Sequence, residues 1–109
     1  MQIPIRYLPD SMTVRDMDAS ADHEGEYLPP REVGRVRFEP AESLAATSYS
    51  LADGARGRVY VDAVNSTGAG PVAVGSKVDV AGREGMRALS CAEMRSASGS
   101  VHHWEVDVG

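Results

Sequence analysis

Aromatic residues are scarce in this chain: they make up 6% of it, with one tryptophan and one phenylalanine. A core here must come mainly from Val, Ala, Leu and Met, which is feasible but lean at 109 residues. A domain of this length hides roughly two-thirds of its unfolded surface and keeps little stability in reserve. Oligomerisation would be a natural supplement. Cysteine is nearly missing as well. Cys91 stands alone, which excludes an internal disulfide and fits a reducing compartment. No apolar run approaches transmembrane length. The opening Met1-Gln2-Ile3-Pro4-Ile5-Arg6 has no apolar h-region, so no secretory signal is expected and a cytoplasmic origin is. Basic clusters are lacking too. With 11 Lys and Arg against 16 Asp and Glu, the net charge of −5 argues against a conventional nucleic-acid binder, which must neutralise phosphates.

What is present reads as short strands separated by turn chemistry. The last nine residues, Val101 to Gly109, alternate with period 2: His102, Trp104, Val106 and Val108 share one face, and Val101, His103, Glu105 and Asp107 the other. A disposable terminus rarely carries the only tryptophan on an apolar stripe, so this is read as a core strand, with Trp104 pinning the barrel shut. Upstream, Ile3 to Leu8, with Pro4 inside it and Pro9 just after, reads as an extended arm or edge. Ser11–Met17 is a strand with Met12 and Val14 on one side, and Asp16–Glu26 is an acidic loop. Tyr27 to Pro30 is a stiff approach to the next strand. Arg31–Glu39 places Val36 and Phe38 on one face and Arg35 and Arg37 on the other. Pro40–Gly57, rich in Ala and Ser, reads mostly as a long loop, with a short helix possible after Pro40. Arg58–Val64 is a strand and Asn65–Pro71 a turn. Ser76–Val80 and Met86–Arg95 form a hairpin about Ala81-Gly82, although helix in Gly85–Met94 is also compatible with its residues. Ser96–Ser100 connects to the last strand. About six short strands with one long inserted loop make a single all-β domain, a small barrel or sandwich.

Site chemistry is thin. His102 and His103 invite a metal reading, but neighbours in a strand point to opposite faces and are not expected to ligate one ion together. His102 reads as packed and His103 as exposed among carboxylates. The acidic loop fails as a calcium loop, since Ala21 stands where the sharp-turn glycine belongs and Tyr27 where the bidentate glutamate should be. The serines lack a nucleophile elbow, Cys91 reads as a small hydrophobe, and Gly68, Gly70 and Gly75 lack the strand-loop-helix setting of a phosphate cradle. No catalytic residue, metal ligand or cofactor is expected. Arg31, Arg35 and Arg37 read as a solvated face or as partners of an acidic neighbour. Expected core positions are Val14, Phe38, Val61, Val78, Trp104 and Val106.

Three stretches together carry a family resemblance: Leu8-Pro9-Asp10-Ser11-Met12-Thr13-Val14, Val59-Tyr60-Val61-Asp62-Ala63-Val64-Asn65-Ser66, and His102-His103-Trp104-Glu105-Val106. Between the last two come Gly75-Ser76-Lys77-Val78 and Gly82-Arg83-Glu84. In this order they resemble the small minor capsid proteins of tailed bacteriophages, of the head-closure or head–tail stopper group. Gly85-Met86 departs from the aromatic usual after the Gly-Arg-Glu turn, and Pro40–Gly57 has no recognisable counterpart. The resemblance implies a β-barrel subunit of a homo-oligomeric ring, a hexamer or dodecamer, in the virion neck. Its partners would be the portal or adaptor protein, the tail completion or terminator protein, and packaged DNA held without sequence-specific contacts. Glu39, Glu42, Tyr49, Asp53 and Arg56 are then candidates for a channel or gate loop, and Ile3, Ile5, Tyr7, Arg35 and Arg37 for a subunit interface. A different class of reading is a small interaction module that binds a peptide along an exposed edge.

Overall fold

Six strands carry the fold in the computed structural model, which describes residues 2–18, 27–44 and 51–109. They are β1 (Asp10–Arg15), β2 (Arg31–Pro40), β3 (Gly57–Asp62), β4 (Lys77–Val80), β5 (Arg83–Arg95) and β6 (Val101–Val108), with one helical turn, α1 (Ala41–Leu44), after β2. All pairings are antiparallel and the order β1-β2-β3-β6-β5-β4 closes on itself through β4 and β1. The expected all-β fold is therefore a closed barrel rather than a sandwich. Closure removes most sheet edges, which suits a small domain with little apolar material to cover them.

Alternation explains the core. Met12 and Val14 of β1, Val59 and Val61 of β3, Val78 and Val80 of β4, and Val106 and Val108 of β6 all turn inward and are buried. Val33, Val36, Phe38, Val72, Met86 and Ala88 complete the cluster. Valine dominates because a branched side chain fills a pleated, crowded interior at low conformational cost. Val33 and Val36 are three apart, yet both face inward. The reason is a bulge: Asp10 pairs with Val36 and Ser11 with Gly34, leaving Arg35 as the extra residue at φ 54°. The insertion shifts the phase by one and turns both valines to the core.

Ser66, next to the β3 end, secures that bulge by donating its hydroxyl to the Arg35 carbonyl while accepting from the Asp62 N–H at 2.8 Å. Asp62 itself is fully buried. Its carboxylate accepts from the N–H groups of Val64 (3.0 Å), Asn65 (2.7 Å) and Ile3 (2.8 Å). Asn65 returns a bond from Nδ2 to the Ile3 carbonyl at 2.7 Å. The Asp62-x-x-Asn65-Ser66 motif is thus a polar knot that ends β3 and ties down the N-terminal segment. It also explains why β3 stops at Asp62 while Val64, expected in the strand, is 71% exposed.

Several local expectations are corrected. The N-terminal segment is not extended throughout, because Ile5–Tyr7 forms a 3₁₀ turn in which the Tyr7 N–H donates to the Pro4 carbonyl. β1 ends at Arg15, and Met17 makes only an isolated bridge to Tyr27. The alternative of helix in Gly85–Met94 is overturned: β5 is strand from Arg83 to Arg95. Its turn has Ala81 and Gly82 both at positive φ (51° and 76°), the backbone a tight two-residue hairpin demands. Trp104 is half-buried against the core rather than sealed within it, and its indole N–H has no partner among the described residues. Only the Val106–Val108 end of β6 is fully buried.

An open groove with a charged floor

The outward residues of β3, β6 and β5 line up in rows set by register. Arg58 pairs with Asp107 and Asp107 with Ser90; Tyr60 pairs with Glu105 and Glu105 with Ala92. Leu51 and Ala52, approaching β3, wall one side. The result is an open groove of about 630 Å³ lined by Leu51, Ala52, Arg58, Ser90, Ala92 and Met94, with Glu105 and Asp107 in its floor.

Arg58 holds that floor together although it is only 7% exposed. Its Nε donates to Asp107 Oδ1 at 2.6 Å and its Nη2 to Oδ2 at 3.2 Å, while Nη1 lies 3.1 Å from Glu105 Oε1. The Asp107 hydrogen bond, opposed by burial, raises the Arg58 pKa above its ordinary value, so the guanidinium stays charged. Asp107 Oδ2 also accepts from the Ala52 N–H at 2.9 Å, fixing the 51–56 stretch to the sheet. Burial, and then the Glu105 charge, raise the Tyr60 phenol above its usual value. Formally the cluster of one arginine and two carboxylates carries one net negative charge.

Glu105 extends the network to the histidines. Its Oε2 lies 2.9 Å from His103 Nε2, as expected for a histidine among carboxylates. The two histidines are not kept apart, however. His102 Nδ1 and His103 Nδ1 approach to 2.9 Å with the rings edge to face. Their backbones alternate, but neither ring is buried, and each is long enough to turn toward the other at the strand end. No cluster of three or more His, Cys, Asp or Glu suitable for a metal ion occurs among the described residues.

The other candidate residues are dispersed. Glu39 accepts from Arg37 Nε on β2, Glu42 and Asp53 are exposed, and Tyr49 lies outside the described residues. Most of the acidic loop falls outside them as well. Arg56 is exposed, but its backbone is a staple: its N–H donates to the Val108 carbonyl at 2.7 Å, and its carbonyl accepts from Ala41 at 2.9 Å. Ile3 is held by Asp62 and Asn65, whereas Ile5 and Tyr7 are 49% and 48% exposed. Arg37 Nη1 reaches the Tyr7 carbonyl at 3.4 Å, and Arg35 is exposed on its bulge. Arg31 meets the acidic segment within the same chain, with Nε 2.6 Å from Asp16 Oδ2 and Nη2 3.1 Å from Oδ1. Of all these, sequence reasoning missed the groove. Its one legible signal was Arg58 standing at an outward position between inward residues of a valine-rich strand.

A scan against known families matches residues 4–108 to a family described as minor capsid protein, from the N-terminal turn to the last residue of β6. The chain belongs to the minor capsid protein family. Comparison with curated proteins and with solved structures returned no match. Membership makes the protein a virion component with a structural role. No helix among the described residues is long and apolar enough to cross a membrane.

Proposed function

We propose that this minor capsid protein is a ring-forming subunit of the head–tail connector, a stopper that joins portal or adaptor to the tail and retains packaged DNA. The observation that carries the reading is the stapled base of the 41–56 segment. The segment leaves β2 at Ala41 and rejoins at Arg56, where the Ala41–Arg56 and Arg56–Val108 backbone bonds fix both stems to one rim of a closed barrel. Stems fixed on a stiff scaffold give a channel segment a defined point of departure, and residues 45–50 between them lie outside the described residues. Glu39, Glu42, Asp53 and Arg56 lie at or beside this base, and Tyr49 falls within the segment. The net charge of −5 supports the same reading, because like charge discourages adhesion to passing DNA.

The test is a phage lacking this gene. Filled heads that leak DNA or lack tails are the expected outcome, and normal infectious particles would overturn the proposal. A shorter deletion within 45–50, which leaves the Ala41–Arg56 staple in place, should preserve folding and impair DNA retention.

A further inference from the structure

We propose that the groove over β3, β6 and β5 receives the Ile5–Tyr7 turn of a second copy of this chain, so that copies join head to tail. The inference rests on the ring reading above and gives that ring its contact. The groove, at about 630 Å³, is in the range of roughly 300–1,000 Å³ typical of ligand-sized clefts, and Leu51, Ala52, Ala92 and Met94 supply apolar walls. One rim is an open strand edge. β4 pairs with β5 only as far as Arg87, the last bonds on that side are those of Ala88 with Gly75 and Ser76, and from Ser90 to Arg95 β5 is paired with β6 alone among the described residues.

The turn complements the groove in apolar character and in charge. Ile5 and Tyr7 are large, half-exposed and held in a 3₁₀ turn. Between them Arg6 is exposed and stacks over the Tyr7 ring at 4.8 Å. Tyrosine and arginine are the anchors that interfaces favour. Arg6 would bring a positive charge to a floor in which Glu105 and Asp107 outnumber Arg58. Within its own chain the turn is anchored at both ends, with Tyr7 on the β2 side and the Ala92 and Met94 wall on β5. It is tied to Asp62 and Asn65 at Ile3 and to Arg37 of β2 at Tyr7, while β5 stands three steps from β2 in a ring of six strands. A contact between different surfaces of like subunits is heterologous, the kind that closes into rings.

The test uses phage particles assembled with the protein carrying Pro9→Cys, beside the turn and leaving Ile5, Arg6 and Tyr7 intact, and Ala92→Cys, in a Cys91→Ala background, treated with a short bis-maleimide. Both engineered positions are exposed, and circular dichroism of the purified variant checks folding. The expected result is a ladder of cross-linked species beyond dimers, missing from either single variant, with yield reduced about tenfold by Arg6→Glu. No ladder in particles that carry the protein at normal copy number overturns this contact and leaves the ring reading intact. Dimers formed equally well by Pro9→Cys alone overturn it too. Absence of the protein from the head–tail junction of unmodified particles overturns the ring reading itself.

Discussion

Arg58 shows how much one side chain organises. Removing it leaves Asp107, 3% exposed, and Glu105 facing each other without their common cation. Arg58→Met is expected to cost about 3–5 kcal/mol, because a buried carboxylate loses its partner, and urea unfolding would measure the loss. Arg58→Lys should recover only part of it, since an ammonium cannot reproduce the two-pronged contact with Asp107. Tyr60 supplies a pH prediction. Burial, with the Glu105 charge beside it, raises its folded pKa above the ordinary tyrosine value, so the folded chain holds the phenolic proton more tightly than the unfolded chain. The stabilisation is complete below the unfolded pKa, near 10, and is lost as pH rises through the folded one. Tyrosinate absorbance during an alkaline titration should include a late step from Tyr60, which Tyr60→Phe should remove.

Among the elements, the β4–β5 hairpin and the β2 bulge show turn chemistry at its strongest and at its least legible. Ala81-Gly82 could be placed as a turn from its position between two alternating strands. Its cost could not be read, because only the backbone reveals that Ala81 sits at φ 51°. Ala81→Asn is expected to stabilise the protein by about 0.5–1 kcal/mol, since asparagine tolerates the left-handed region that alanine resists, and a higher midpoint in thermal melts would show it. The bulge had no such herald. Arg35 is an unlikely residue for positive φ on propensity alone, and its geometry is imposed from outside by Ser66, 31 residues away in sequence. Gly57 is the converse case. A Cβ there would lie 2.5 Å from the Phe38 ring and 2.6 Å from the Glu39 carbonyl. Gly57→Ala should therefore cost about 1–3 kcal/mol through overpacking.

For the whole molecule, the closing strand is the structural keystone. β6 lies between β3 and β5, Val106 and Val108 are fully buried, and Gly109 exchanges two backbone bonds with Arg87. Deleting Val106–Gly109 should abolish cooperative unfolding in far-ultraviolet dichroism, because the barrel would open and two core valines would be lost. The same strand carries Glu105 and Asp107 on its outer face. Scaffold and groove are therefore one element seen from two sides, and a charge change at the groove floor will be felt in folding as well as in assembly.

The sequence by itself determined the strands, the valine-built core and the turns, because alternation and turn chemistry are local properties that each segment expresses alone. It also carried the family, through short motifs kept in order. Only the tertiary structure decided which polar residues meet. Arg58 and Asp107 lie 49 residues apart and become partners because β3, β6 and β5 are neighbours out of chain order. The Asp62 knot, the shared bulge and the groove have the same origin. Strand order and register are set by how the whole chain packs, and no single segment records them.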